Sequence, residues 1–130
     1  MALILFLVGI VAYSFVEYAT HRWLLHGPMI KSHRIHHMDP NKRVHVNIRI
    51  MILACFMVWA VAGMALMLGM FTGWILSSLF HWRLHVGNLT APWVRKLKGY
   101  HYGHHRNPTT NYGVTNMLWD TLFHTKGLPH

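Results

Sequence analysis

Residues 50–80 read IMILACFMVWAVAGMALMLGMFTGWILSSLF, and none of these side chains is charged. One membrane crossing needs about 20 apolar residues, so this stretch is longer than a single span requires. We interpret it as a hairpin of two helices near 49–68 and 71–86, with the reversal at the glycines and threonine of 69–73. One long tilted helix is the alternative. Cys55 within the stretch is expected to be an unreactive packing residue.

The distribution of charge favours the hairpin. The chain is 53% hydrophobic and 12% charged, whereas soluble proteins are about 25% charged. All twelve Lys and Arg lie at or after Arg22 and outnumber three acids, which gives a net charge of +9. If residues 2–26 form a first membrane helix that ends at Gly27-Pro28, the hairpin puts every basic residue on one side. The positive-inside rule identifies that side as cytoplasmic.

Ten of the thirteen histidines occur in four clusters with helical spacing. The clusters are His21 and His26; His33, His36 and His37; His81 and His85; and His101, His104 and His105. Side chains three or four residues apart share a helix face. Adjacent histidines point about 100° apart on a helix, so the pairs 36–37 and 104–105 can each serve two ions. The five-residue interval from His21 to His26 also suits two ions better than one.

Gathering so many imidazoles in one place requires an explanation. They would repel one another if protonated, and several would lack partners if neutral and buried. Metal ions remove both problems, because neutral imidazole is a good ligand for iron, zinc and copper. Ten ligands exceed the four of a structural zinc site and suit two ions with about five nitrogens each. His45, His124 and His130 fall outside the pattern, and we assign them no metal role.

Two acids are predicted to support the histidines. Glu17 precedes His21 by four residues and is expected to accept its free ring N–H; Asp120 is expected to do the same for the last cluster. The alternatives are an interfacial acid for Glu17 and a surface charge for Asp120. Three acids are too few for a ferritin-like carboxylate site. No residue beyond the metal ligands is predicted to be catalytic, and we find no motif for a nucleotide cofactor.

The chain after Asn88 is predicted to lie at the membrane interface. Basic residues at 95–98 stand among aromatic residues, as in a headgroup belt. We interpret this face as solvated or facing lipid phosphates, with a dock for a donor protein as the alternative, and not as a nucleic-acid site. A last short helix is expected after a cap at Thr115 or Asn116. The predicted fold is all-α: one domain over 1–130, an integral membrane protein with about three membrane helices and a one-sided interfacial helical cap bearing the ten-histidine, two-metal site.

Five stretches resemble the fatty acid hydroxylase / sterol desaturase superfamily of membrane di-metal enzymes. They are EYATHRWLLH at 17–26, HRIHH at 33–37, HWRLH at 81–85, HYGHH at 101–105, and the ending from NYG at 111–113 to FHT at 123–125. The likeness covers nearly the whole chain after about residue 10. Four histidine clusters in the family's order make it specific.

The resemblance implies an oxygen-dependent oxidation of an unactivated C–H bond in a lipid. The ten histidines would hold two iron ions, with O2 as co-substrate, and zinc could replace iron in a purified sample. Three residues separate His81 from His85, which is similar to fatty acid hydroxylases, whereas carotenoid hydroxylases tend to have four. We therefore expect hydroxylation of a fatty acyl chain drawn from the bilayer. The sequence departs from larger members in having one crossing before the first cluster and no cytochrome b5 domain. An external donor, ferredoxin or cytochrome b5-like, is expected.

Three other functions stay open at this point. A carotenoid or sterol oxidase of the same superfamily would use the same ligands. A non-redox membrane zinc protein would also need clustered histidines. A haem-binding electron carrier would need only two to four of them, and would leave the repeated HxxHH pattern unexplained.

Overall fold

The computed structural model describes residues 1–29, 31–42, 44, 48–88 and 90–130. All regular structure within these ranges is helical, which confirms the predicted all-α class. The elements in order are α1 (Ala2–Ala19), a π-helical segment (Thr20–Met29), α2 (Lys31–Met38), α3 (Ile48–Ala62), α4 (Met64–Val86), α5 (Pro92–Arg106) and α6 (Leu118–Leu122).

Helices α1 and α4 form the main packed pair. Small residues at their contact let the two backbones approach closely, as is common between membrane helices. A methyl group at Gly69 would collide with the carbonyl oxygen of Phe6, and one at Gly73 would lie 2.7 Å from Cβ of Tyr13. Neither glycine can therefore carry a side chain while this contact persists. The contact fixes α1 against α4, and so fixes the histidines near their ends.

The apolar stretch doubles back as predicted, but the reversal lies at Gly63 and not at 69–73. Gly63 has φ +84°, in the left-handed region that favours glycine. The expected turn glycines, Gly69 and Gly73, are helical and contact α1 instead. As a result α4 is the longer arm, with 23 residues or about 34 Å. Helix α3 has 15 residues, or about 22 Å.

Two helices are long and apolar enough to cross a membrane. They cover Ala2–Gly27 and Met64–Val86, and α3 is apolar but shorter. Large apolar side chains project outward from both long helices; Val11, for example, is 67% exposed and Leu79 54% exposed. Such surfaces are costly in water and suit lipid. Of the roughly three crossings expected, two are thus matched by helices of full length among the described residues.

The remaining elements cap one end of this pair. The π-helical segment extends α1 and breaks at Gly27, whose backbone is not helical, where the sequence predicted the end. Leu84 of α4, Val94 of α5 and Val114 form a small buried cluster that joins the cap to the membrane helices. The last helix is capped by neither expected residue, because its N-cap is Met117, which makes no side-chain cap bond. Asn116 lies one position earlier, and its side-chain oxygen accepts the N–H of Leu118 at 3.0 Å.

Candidate metal centre

The ten clustered histidines come together in two groups of five, although they are up to 84 residues apart in sequence. Site 1 comprises His21, His26, His33, His37 and His104. Site 2 comprises His36, His81, His85, His101 and His105. Within each site the potential ligand atoms all lie within 4.8 Å of one another. The hairpin therefore brings early and late clusters to one end of the molecule.

The helical winding decides which site each histidine joins. On α2, His36 and His37 point into different sites, and on α5 His104 and His105 do the same, as the 100° rotation between neighbours predicts. His21 and His26 were expected to suit two ions, but both belong to site 1. The cause is the π-helical winding of Thr20–Met29, which hydrogen-bonds residues five apart. It brings the two rings within 5.1 Å of each other, centroid to centroid.

Contacts between ring nitrogens are too numerous for hydrogen bonds to explain. Nε2 of His33 lies 3.1 Å from that of His21, 2.9 Å from that of His26 and 3.1 Å from that of His37. A neutral imidazole has one N–H, so one nitrogen can donate at most once. Site 2 has the same pattern, with Nε2–Nε2 distances of 2.8–3.2 Å in four pairs: His36–His81, His81–His85, His85–His101 and His101–His105. Several lone pairs therefore face one another, and a shared cation resolves this arrangement.

Backbone carbonyls fix three of the rings. Nδ1 of His21 donates to the carbonyl oxygen of Tyr112 at 2.6 Å, and Nδ1 of His104 donates to that of Thr110 at 2.7 Å. In site 2, Nδ1 of His36 donates to the carbonyl of Lys42 at 2.7 Å. With Nδ1 protonated, Nε2 of each of these rings carries a lone pair directed into its site.

Burial keeps the rings in the neutral form that metals bind. It lowers the pKa of His33 and His104 to about 2 and that of His105 to about 3. Burial is the largest cause at each of these rings, and neighbouring histidines lower the pKa further. All three rings are therefore uncharged at neutral pH, which is the form that binds a metal ion.

The spacing of the nitrogens fits a metal ion. Imidazole nitrogens bind zinc at about 2.0–2.1 Å. Two ligands at right angles around such an ion are then about 3.0 Å apart, and two opposite ligands are about 4.2 Å apart. The neighbouring Nε2 atoms of both sites, at 2.8–3.2 Å, match the shorter separation. The donor set is all nitrogen, which suits iron, zinc or copper rather than magnesium or calcium.

The two acids take positions other than those expected. The buried carboxylate of Glu17 accepts hydrogen bonds from the hydroxyls of Ser77 and Thr115, the latter at 2.6 Å, and the N–H of His21 goes to a carbonyl instead. Glu17 thus joins α1 to α4 and to the segment before α6. The Glu17 side chain therefore holds the cap to the membrane helices and does not accept the ring N–H of His21.

Asp120 is fully buried, and its hydrogen bonds to described residues go to groups other than histidine. Its carboxylate accepts the backbone N–H groups of Tyr112 and Gly113 at 2.8 and 2.7 Å, and the hydroxyl of Thr125 at 2.7 Å. The expected bond to the last histidine cluster is therefore replaced by bonds to the loop beside site 1. The surface-charge alternative is wrong, because the side chain has no solvent exposure.

The histidines without an assigned metal role lie away from both sites where the structure describes them. His124 is exposed and has φ +55°, and the ring of His130 accepts a hydrogen bond from Arg106 at 3.2 Å. His45 lies outside the described residues.

Sequence reasoning missed the groups that orient the rings. The carbonyls of Lys42, Thr110 and Tyr112 contact Nδ1 atoms, and every residue has such a carbonyl, so residue type gives no signal. Ser77 and Thr115, the partners of Glu17, were also missed. A small polar residue eight positions after Gly69 on an apolar helix was the available signal for Ser77.

An apolar cavity of about 450 Å³ lies between α1 and α4 and reaches both sites. The histidines that line it are His21 and His33 of site 1 and His36, His81 and His85 of site 2. Apolar walls come from Leu25, Trp74 and Val86, among others. A second cavity of about 400 Å³ shares Tyr13 and Ser77 with the first and lies further along the two helices. The arrangement can hold a long apolar molecule beside both candidate metal sites.

Comparison with known proteins identifies relatives that share these features. The sequence model of the family described as fatty acid hydroxylase matches residues 6–125. The chain is 29% identical to the dihydroceramide fatty acyl 2-hydroxylase FAH1 of Arabidopsis thaliana, over 91% of this chain and 58% of that protein. It is 30% identical to the ceramide very long chain fatty acid hydroxylase SCS7 of Saccharomyces cerevisiae, over 95% of this chain and 38% of that protein.

A solved structure shares the fold. The structure of full-length scs7p, in which only the hydroxylase domain is visible, matches with a TM-score of 0.82 at 28% identity. The match covers 97% of this chain and 56% of that chain. The chain spans less than two thirds of the length of each of these relatives. Since the family's sequence model matches nearly the whole chain, the chain belongs to the fatty acid hydroxylase family.

Proposed function

We propose that this chain is a membrane-bound oxygenase that hydroxylates an unactivated C–H bond of a fatty acyl chain. The ten histidines of sites 1 and 2 hold two iron ions, O2 is the co-substrate, and electrons come from a separate donor. The observation that carries the proposal is the apolar cavity between the membrane helices whose walls include histidines of both sites. Residues 1–130 act as one hydroxylase domain in this account.

Bound iron would supply oxygen activation and C–H cleavage, which amino-acid side chains cannot perform. The protein's part is to bind and orient the acyl chain and to exclude water. Trp74, Leu25 and Val86 provide the apolar wall for this. Tyr13 and Ser77 line both cavities, and the Ser77 hydroxyl is already bonded to Glu17.

The depth of the sites favours oxidation near the polar end of the lipid. His26 and His85 lie at the cap end of the two long apolar helices, whose other residues extend into the bilayer region. An acyl chain that keeps its tail in that region presents its carboxyl-end carbons to the metals. The relatives from Arabidopsis and mouse are named as 2-hydroxylases. We therefore propose carbon 2 of an acyl chain as the position oxidised.

The positive charge of the cap is the basis for proposing an electron donor and an orientation of the chain in the membrane. Arg95 and Lys96 on α5 are exposed on the cap. We propose that the cap lies on the cytoplasmic side, that the chain is multi-pass, and that an acidic ferredoxin or cytochrome b5-like protein docks there. Adding salt should then slow electron delivery without changing bound metal.

The test is lipid analysis of cells that express the chain together with a competent donor. We expect 2-hydroxy acyl chains in their lipids and two iron ions per chain in protein prepared anaerobically under reducing conditions. Unchanged acyl pools despite two bound iron ions and electron delivery would contradict the proposal. Zinc in an aerobically purified sample decides nothing, because zinc displaces iron at such ligands.

A further inference from the structure

We infer that the two metal sites, on which the proposed function also rests, are unequal. Site 1 holds its ion more tightly than site 2, and Asp120 is the positioning residue responsible for the difference. The inference concerns this chain's own supporting groups, which differ between two sites that have the same number of histidines.

The ring nitrogens opposite the metal-facing ones are supported unequally. Among the residues that the structure describes, two Nδ1 atoms of site 1 donate to carbonyls, those of His21 and His104, and one of site 2 does, that of His36. Among the described residues, the buried Nδ1 atoms without a protein partner are His33 in site 1 and His85, His101 and His105 in site 2. A partner on this nitrogen fixes the tautomer and raises the basicity of the metal-binding nitrogen. Site 2 largely lacks this support.

Asp120 orients the carbonyl that holds His21. The carbonyl of Tyr112 and the N–H of Gly113 belong to the same peptide unit and point in opposite directions. Asp120 accepts that N–H at 2.7 Å, while the carbonyl accepts Nδ1 of His21 at 2.6 Å. Two hydrogen bonds thus connect the carboxylate of Asp120, through one peptide unit, to the imidazole of His21. The charge of Asp120 polarises the peptide and strengthens its hold on the ring.

The loop that carries these carbonyls is anchored on its other side. Asn111 is fully buried and has φ +56°. Its side-chain oxygen accepts the N–H of Gly127 at 2.8 Å, and its own N–H donates to the carbonyl of Thr125 at 2.8 Å. By contrast Lys42, whose carbonyl supports site 2, lies in an exposed turn. The support of site 1 therefore comes from a buried, anchored loop, and that of site 2 from an exposed turn.

The experiment measures how fast zinc leaves the full chain. Protein loaded with two Zn²⁺ in detergent is mixed with an excess of a coloured chelator, and release is followed with time. We expect two phases of one ion each. Asp120→Asn should accelerate the slow phase by about 10- to 100-fold, the range by which losing a group that supports a metal-binding histidine weakens metal affinity, and leave the fast phase unchanged.

A milder matched pair keeps the test decisive if Asp120→Asn does not fold. Thr125→Ala removes one hydrogen bond to Asp120 and should accelerate the slow phase by a smaller factor. Thr121→Ala is the control, because this exposed residue donates its hydroxyl to the carbonyl of Met117, directly before α6, and to neither Asp120 nor the loop beside site 1. In the Thr121→Ala variant, the rates of both zinc-release phases should equal those of the wild type.

Ligand variants assign the phases. His26→Ala should remove the slow phase and His85→Ala the fast one. The inference is overturned if two ions leave in a single phase, if Asp120→Asn or Thr125→Ala accelerates both phases equally, or if the two ligand variants give the reverse assignment. Each of these results leaves the two-metal enzyme intact. Fewer than two ions bound per wild-type chain would instead contradict the proposed function together with this inference.

Discussion

His104 is the residue whose loss should damage the centre most. Its side chain is fully buried, its Nε2 lies 2.9 and 3.1 Å from those of His26 and His37, and its Nδ1 is bonded to the carbonyl of Thr110. His104→Ala removes one of five nitrogens from site 1 and leaves the carbonyl of Thr110 without this partner. We expect activity to be abolished and metal content to fall, with little loss of membrane insertion. Product analysis, metal content and membrane fractionation measure these three quantities.

His124→Ala is the matched control for that substitution. The His124 ring is exposed and belongs to neither site. Its backbone φ of +55° is unfavourable for any residue with a Cβ, histidine and alanine alike, so little change in stability is expected. Activity and metal content should stay near wild-type values. Equal activity in the His104 and His124 variants would refute the proposed ligand assignment.

At this scale the sequence was informative about ring positions and uninformative about their partners. Their spacing was sufficient to identify the ten clustered histidines as candidate ligands. The rotation between neighbouring residues predicted that His36 and His37 would point into different sites. The prediction from spacing was wrong for His21 and His26, because no residue pattern in the sequence predicts a π-helical turn. Glu17 and Asp120 were placed near the right elements but with the wrong partners, because hydroxyls and backbone N–H groups distant in sequence donate to their carboxylates instead.

At the scale of elements, the hairpin was predictable from length and charge, and its turn was not. Glycine serves two purposes in an apolar stretch: it permits a left-handed turn, and it permits close contact between helices. Gly63 does the first, and Gly69 and Gly73 do the second. Only the position of α1 distinguishes them, and that is a tertiary contact.

Gly69→Ala tests this account of the helix pair. Alanine favours a helix over glycine by about 1 kcal/mol, so the substitution would stabilise α4 if space allowed. A methyl group here would collide with the carbonyl of Phe6, and we expect a lower thermal unfolding temperature in detergent. Gly27→Ala is the control, because a methyl group there would meet nothing within 4 Å. A raised unfolding temperature for Gly69→Ala would show that α1 and α4 are not in close contact at this point.

At the scale of the whole molecule, the two metal sites join elements that otherwise have few contacts. Site 1 takes ligands from the π-helical segment, α2 and α5, and site 2 takes them from α2, α4 and α5. Binding to the folded state alone stabilises it by about 4 kcal/mol when free metal is 1,000 times the dissociation constant. We expect chelation to lower the thermal unfolding temperature and added Zn²⁺ to restore it. Identical unfolding with and without metal would mean that the sites do not hold the cap together.

The central claim is that the apolar hairpin brings the early and late histidine clusters to one side of a membrane. Single cysteines at Met38, beside the second cluster, and at Leu128, whose carbonyl lies next to Gly103, report on that side; Val61 near the reversal reports on the other. These variants, in a Cys55→Ser background, are treated in sealed vesicles with a membrane-impermeant thiol reagent. We predict that Met38→Cys and Leu128→Cys react from the same side and Val61→Cys from the opposite one. Labelling of positions 38 and 128 from opposite sides would contradict the shared centre.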